Sequence, residues 1–204
     1  MFTGLIREMA TVKSYRTNRL SLRADYRPGI GDSIAVNGAC LSVVTIEQDG
    51  FTVELSPETQ TKIATENLHG KVHIEPAMKM GERFEGHIVQ GHIDTIGTIA
   101  GINNNGNSYD ITVDIDPAYI PYIVPKGSIT VDGVSLTVND VAEKSFRLTI
   151  IPITMRETLF GHYTKGSTVN IETDMFARYI AHLLKHRQPS SPSWDEIDRI
   201  SSLY

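Results

Sequence analysis

The chain has 204 residues, 40% of them apolar and 21% charged, a balance that suits one full-sized core or two small ones. A formal charge of -5 with no basic run excludes a polycationic surface for nucleic acid or anionic lipid. The single cysteine, Cys40, excludes an intrachain disulfide and a cysteine-rich metal site, and fits a reducing, cytoplasmic setting.

From the N-terminus, Met1 to Val12 lacks the basic start and apolar core of a signal peptide. No apolar run reaches the ~20 residues that span a bilayer, so neither export nor embedding is expected. Short β-branched or alternating stretches follow: Ser33 to Val36, Leu41 to Ile46, Phe51 to Leu55 and Val72 to Glu75. Asn37-Gly38, Asp49-Gly50 and His69-Gly70 separate them, and Asn-Gly or Asp-Gly favours a tight hairpin because both central residues tolerate positive φ. Asp132-Gly133 repeats that signal.

The repetition is general. Ser33 to Thr59 aligns without a gap on Ser128 to Thr154, with nine of 27 pairs identical. Val72 to Glu75 pairs with Val169 to Glu172, and Phe2 to Gly4 with Val89 to Gly91. The chain therefore reads as two half-length copies, residues 1–86 and 87–174, each with many short strands. That pattern predicts an all-β protein of two similar Greek-key barrels, closed so that no sheet edge is left exposed.

The clearest helix lies at the end, residues 175–186, with Asp174 as its cap and Phe176, Tyr179, Ile180, Leu183 and Leu184 at helical spacing. Its apolar stripe packs either on its own barrel or against the same helix of other copies. Beyond it, residues 187–204 form a tail: Gln188 to Ser193 reads as a linker, and Trp194 to Tyr204 as a short amphipathic turn or a disordered end.

No nucleotide-binding glycine motif appears; Gly86 to Gly91 has two glycines but the wrong spacing. His87 and His92 lie five apart in a strand-like context, poor geometry for chelating one metal, so no metal site is expected. Ser135 lacks the strand-turn-helix elbow of a hydrolase nucleophile. What remains is paired: Cys40-Leu41-Ser42 with Ser135-Leu136-Thr137, and Ser56 to Thr59 with Ile151 to Thr154. Alternation points both polar residues of each triplet to one face, with Leu41 or Leu136 opposite. They are either the lining of two similar pockets or core hydroxyls bonded to nearby backbone.

Six motifs in order carry a resemblance: Met1 to Ile6, Gly31 to Val43, Gly86 to Asp94, Lys126-Gly127, Asp132 to Val138 and Val169 to Asp174. Together the chain resembles the riboflavin synthase family, with its lumazine-binding repeats, over about residues 1–185. The resemblance implies a cytoplasmic homotrimer that uses two molecules of 6,7-dimethyl-8-ribityllumazine and needs no cofactor, metal, nucleic acid or membrane. It implies a first pocket from Gly4, Leu5, Ile6, Cys40, Leu41, Ser42, Glu54, Leu55, Ser56, Pro57, Glu58 and Thr59. A second follows from Gly91, His92, Ile93, Lys126, Ser135, Leu136, Thr137, Thr149, Ile150, Ile151, Pro152, Ile153 and Thr154.

Within that set His92 is the candidate proton relay, with a purely structural role as its rival. Ser135, with Cys40 as counterpart, would hydrogen-bond or add to a ring carbon; Lys126 would stabilise developing negative charge or sit solvated at a rim; Phe2 would order the site. Three departures stand out. Ile153 occupies a position often polar in the family, Ser42 replaces the commoner Thr, and the tail after His186 has no counterpart. Non-catalytic binders of the same superfamily, like the lumazine proteins, lose polar residues from the second pocket, whereas His92, Lys126, Ser135 and Thr137 are all present here.

Overall fold

A computed structural model describes residues 1–186 and Ser202. The expectations for the tail beyond His186 lie outside the described residues. The first half supplies β1 (Glu8–Arg16), β2 (Arg19–Arg23), β3 (Ser33–Val36), β4 (Ala39–Glu47), β5 (Gly50–Glu54) and β6 (Lys71–Pro76). They close in the order β1-β2-β5-β4-β3-β6, every pair antiparallel. The second half supplies β7 (Thr95–Asn104), β8 (Tyr109–Asp114), β9 (Ser128–Val131), β10 (Val134–Val141), β11 (Ser145–Ile150) and β12 (Thr168–Thr173), which close in the same cyclic order. The molecule is thus two six-stranded Greek-key barrels, and closure leaves neither with a free edge. Among the described residues no helix is long and apolar enough to cross a membrane.

Closure demands curvature, and the same irregularities provide it twice. Register shifts lie between Val12 and Ser14 in β1 and between Val43 and Thr45 in β4; they recur between Ile99 and Gly101 in β7 and between Val138 and Asp140 in β10. An extra residue on one strand bends it and raises its twist, which rolls a sheet into a barrel. Inside, alternate residues meet in two cores. Leu20, Leu22, Ile34, Phe51 and Ile74 fill the first, and Ile99, Ile111, Ile129, Phe146 and Ile171 fill the second.

Asn37-Gly38 and Asp132-Gly133 turn as expected, all four at positive φ. Asp49-Gly50 does not: the turn is Gln48-Asp49 and Gly50 already opens β5. Glycine is needed there for space, because a Cβ at Gly50 would lie 1.8 Å from the Leu22 carbonyl oxygen.

The halves join around a local twofold. Phe2 and Val89, equivalent in the repeat, exchange N–H to O=C bonds of 2.8 and 3.1 Å, and the hairpin tips touch, Gly38 against Gly133. Behind the tips, two equivalent side chains cross. From β12, the Asn170 amide donates to the Asn37 carbonyl at 2.9 Å and accepts from the Ala64 N–H at 2.8 Å. From β6, His73 Nδ1 donates to the Asp132 carbonyl at 2.8 Å while Nε2 accepts from the Leu159 N–H at 2.8 Å. The imidazole reproduces the donor and acceptor of an amide, and only its neutral form can do so.

Burial lowers the His73 pKa from about 6.5 to about 4. The unfolded chain therefore takes up this proton first as pH falls, and stability drops between those two values. Asp132, pushed by burial up to about 7 against its bond from the Tyr163 hydroxyl, contributes in the opposite sense. His73→Asn keeps both bonds of the lock and removes only the imidazole. Urea unfolding at pH 7 and pH 4 should show wild type losing roughly 3 kcal/mol more than the variant; parallel losses would exclude His73 as the source.

Candidate active site

Cys40 lies on β4, half-buried at the mouth of the first barrel, and its N–H donates to the Gly91 carbonyl at 2.9 Å. Gly91 has φ of +80°, and a Cβ there would stand 2.6 Å from Cys40 Cβ, so only glycine lets the following residues cross so closely. Ile93 then packs on the first core. A cavity of about 450 Å³ results, lined by Cys40, Glu58, Thr59, Lys62, Gly91, His92 and Ile93. Glu58, Thr59 and Lys62 come from the short helix α1 (Pro57–Lys62), whose cap Ser56 accepts from the Thr59 N–H at 3.0 Å.

The second barrel repeats this with Ser135 on β10. Its N–H donates to the Gly4 carbonyl at 2.8 Å, a Cβ on Gly4 would lie 2.5 Å from Ser135 Cβ, and Ile6 packs on the second core. The expected grouping is therefore corrected: Gly4, Leu5 and Ile6 sit on the second barrel, and Gly91, His92 and Ile93 on the first. The cause is the antiparallel bridge at Phe2 and Val89, which passes each segment to the opposite barrel.

A carboxylate anchors each exchanged segment. Glu75 of β6 accepts from the Thr3 N–H, the Thr3 hydroxyl and the Gly4 N–H at 2.7 to 3.0 Å. Glu172 of β12 accepts from the N–H groups of Gln90, Gly91 and His92 at 2.8 to 3.1 Å. Burial pushes Glu172 up to about 7 and raises Glu75, while the N–H donors pull both back.

The halves then diverge. Ser135 Oγ lies 2.7 Å from Nδ1 of His87, which is nine-tenths buried. Burial lowers the His87 pKa and the charge of Asp174 opposes this. Sequence reasoning treated His87 only as a poor metal partner for His92 and missed this pair. Forty-eight residues separate it from Ser135, and among the described residues no hydrogen bond joins Cys40 to a histidine. Gly86, at φ +78° with a virtual Cβ 2.2 Å from the Thr3 carbonyl oxygen, is the one local sign of the close approach.

His92 projects exposed over the Cys40 cavity and not toward Ser135. Phe2, expected to order the site, is wholly buried against Ala35 and Val89, so any part it has in catalysis runs through packing and not through contact with a reacting atom. Leu41, Leu55 and Ile150 are likewise core residues, while Ser42, Thr137, Ile151 and Ile153 are exposed and Leu136 is half-buried. Glu54 accepts from Asn18 at 2.7 Å, and Thr149 donates its hydroxyl to Asp110 at 2.7 Å. Pro57 and Pro152 open α1 and α2 (Pro152–Glu157), and the Thr154 carbonyl accepts from the Thr158 hydroxyl at 2.6 Å.

Lys126 is exposed at φ +67°, where the first half has Gly31 at φ +86°. Both donate their N–H to the equivalent valine carbonyl, Val138 or Val43. A lysine in that conformation costs on the order of 1 kcal/mol relative to glycine.

The model of the Lumazine binding domain matches residues 3–77 and again 90–174. A riboflavin synthase of Actinobacillus pleuropneumoniae is 38% identical over 94% of both chains, and one of Bacillus subtilis (strain 168) is 39% identical over 90% of both. Among solved structures, LumP complexed with riboflavin superposes with a TM-score of 0.77 at 22% identity, covering 85% of this chain and all of that one. LumP complexed with 6,7-dimethyl-8-(1'-D-ribityl) lumazine gives 0.74 at 22% identity, covering 85% and 99%. The doubled domain match and relatives aligned over nine-tenths of their length agree with the twin barrels and twin mouths: the chain belongs to the riboflavin synthase family.

Proposed function

We infer that the protein is a transferase that dismutates two molecules of 6,7-dimethyl-8-ribityllumazine, moving a four-carbon unit from one to the other. The products are riboflavin and 5-amino-6-(D-ribitylamino)uracil. The C7 methyl of the substrate is acidic because its carbanion delocalises into the pteridine ring, and C7 of a second molecule accepts a nucleophile. The protein must chiefly hold two rings face to face, which is worth roughly 7 to 11 kcal/mol, and move protons.

The observation that carries this reading is the Ser135–His87 pair, present at one of two otherwise equivalent mouths. An imidazole whose pKa burial lowers is neutral at pH 7 and ready to accept a proton, directly or through the serine hydroxyl. The methyl proton accordingly leaves at the second barrel, and the first, with Cys40 and His92, holds the other molecule. Ser42, Ser56, Pro57, Glu58 and Thr59 would face the ligand at one mouth, and Lys126, Thr137, Ile151, Pro152, Ile153 and Thr154 at the other. Exposed Ile153 in place of Glu58 makes the second rim more apolar.

The active unit we propose is a cytoplasmic homotrimer in which the first mouth of one subunit meets the second mouth of another. Its support is helix α3 (Met175–Lys185), capped by Asp174 through a 2.7 Å bond from the Phe176 N–H. Phe176, Tyr179, Ile180, Leu183 and Leu184 are each more than half exposed, so the stripe is not spent on its own barrel.

His87→Gln and Ser135→Ala should each lower kcat for riboflavin formation by about 10²-fold or more while riboflavin still binds in a fluorescence titration. The wild-type rate should fall as pH drops through the His87 pKa, and His87→Gln should abolish that limb; an unchanged profile rejects the base. Lys126→Gly should gain about 1 kcal/mol in urea unfolding yet lose turnover, whereas gain without loss would leave Lys126 no catalytic part. Truncation before Met175 should yield smaller particles in sedimentation, and a persisting trimer would rule out the helix as its basis.

A further inference from the structure

The two carboxylate cradles are equivalent in the repeat, yet only one is braced from a helix. Glu75 holds Thr3 and Gly4, and among the described residues no ion pair reaches it. At Glu172, Arg178 on the barrel-facing side of α3 adds three contacts. Its Nη1 donates to Asp94 Oδ1 at 2.8 Å, its Nη2 donates to the Gln90 side-chain oxygen at 2.8 Å, and Nη2 stands 3.7 Å from Glu172 Oε1. The other oxygen of Asp94 accepts the Thr173 N–H and hydroxyl, both at 2.7 Å, while the Asp94 N–H donates to the Ile171 carbonyl at 2.9 Å. The segment from Gln90 to Asp94 is thereby tied at both ends to one guanidinium.

What the two segments carry differs accordingly. The unbraced cradle presents Leu5, an apolar residue that is 45% exposed. The braced cradle presents Gly91, whose carbonyl receives the Cys40 N–H, and His92, which lines the first cavity. A planar guanidinium with donors in a fixed fork suits this work, because it fixes the angle between two acceptors as well as their distance. Arg178 and Asp94 are largely buried, with side-chain exposures of 25% and 13%, so water screens the pair little.

We propose that Arg178 is a positioning residue for the reaction, clamping the Gln90–His92 segment from α3 so that Gly91 and His92 are held over Cys40. It does not touch substrate; it acts through Glu172, Asp94 and Gln90. The proposal rests on the reading given under Proposed function, and the repeat supplies an internal control for it. Loss of the clamp loosens residues 90–92 and leaves Thr3 and Gly4 as they were, whereas general destabilisation loosens both.

The test is Arg178→Met in the full chain, followed by hydrogen exchange and by riboflavin formation from 6,7-dimethyl-8-ribityllumazine. The amides of Gln90, Gly91 and His92 should exchange at least tenfold faster with those of Thr3 and Gly4 unchanged, and kcat should fall on the order of tenfold to a hundredfold with little change in KM. Faster exchange at both cradles, at neither, or an undiminished kcat overturns the clamp. Should the methionine variant not fold, Arg178→Lys decides. It keeps the charge but reaches one acceptor, so an intermediate loss supports the clamp and wild-type values overturn it. Lys185→Ala on the same helix should leave kcat unchanged; an equal loss there would assign the effect to the helix as a whole. A wild-type chain that makes no riboflavin would reject the reaction itself, and the exchange comparison would still decide the clamp.

Discussion

A carboxylate taken out of water costs several kcal/mol unless donors or cations surround it. Glu75 and Glu172 sit almost wholly inside the protein, and each finds three donors in one short segment from outside its barrel, all backbone N–H at Glu172 and two N–H with the Thr3 hydroxyl at Glu75. Those stretches, Thr3-Gly4 and Gln90 to His92, have no regular structure of their own and would otherwise carry unsatisfied N–H groups. Each party therefore requires the other. Once the segments are fixed, their glycine carbonyls have one place to go, the N–H of Ser135 or Cys40 on the neighbouring barrel. The joint between the halves and the walls of both mouths follow from that one exchange.

The local twofold makes the departures from it informative. Gly31 faces Lys126, Glu58 faces Ile153, Leu5 faces His92, and Cys40 faces a serine that has a histidine partner. Some differences are silent in chemistry. His73 and Asn170 perform the same donor-acceptor task in the inter-barrel lock, and the histidine adds only a dependence on protonation. Others cannot be silent. Lys126 holds a left-handed backbone that glycine takes freely on the other side, a cost that packing does not explain because the side chain is exposed.

Much of the architecture was legible in the residues. Strand periodicity, the two Asn/Asp-Gly tips and the nine identities between halves were enough for tandem Greek-key barrels, and Asp174 announced the helix it caps. Two features were hidden for a physical reason. Alignment of repeats shows which positions correspond, but not which barrel a connecting segment rests on, so Gly4 to Ile6 and Gly91 to Ile93 were assigned to the wrong mouths. His87 was hidden because its partner Ser135 lies 48 residues away on β10, a contact that only the fold creates. Gly50 was misread for a third reason, since a glycine next to Asp has the same appearance whether it supplies positive φ or merely the absence of a Cβ.

The proposed reaction explains why a duplicated fold would keep some pairs and vary others. Both participants are the same molecule, so binding alone cannot tell donor from acceptor; two identical pockets would hold the pair with equal energy and give neither a role. On that reaction, recognition of the common ring would fall to the positions alike in both halves, the paired glycines, Ser42 with Thr137 and Thr59 with Thr154. Roles must then be assigned by positions that differ. Of those, the His87–Ser135 pair couples a buried imidazole with a lowered pKa to a hydroxyl within hydrogen-bond reach. On the proposed reaction, proton removal would then fall on the second-barrel side, and the molecule whose C7 takes the nucleophile would sit at the first, where His92 is held over Cys40.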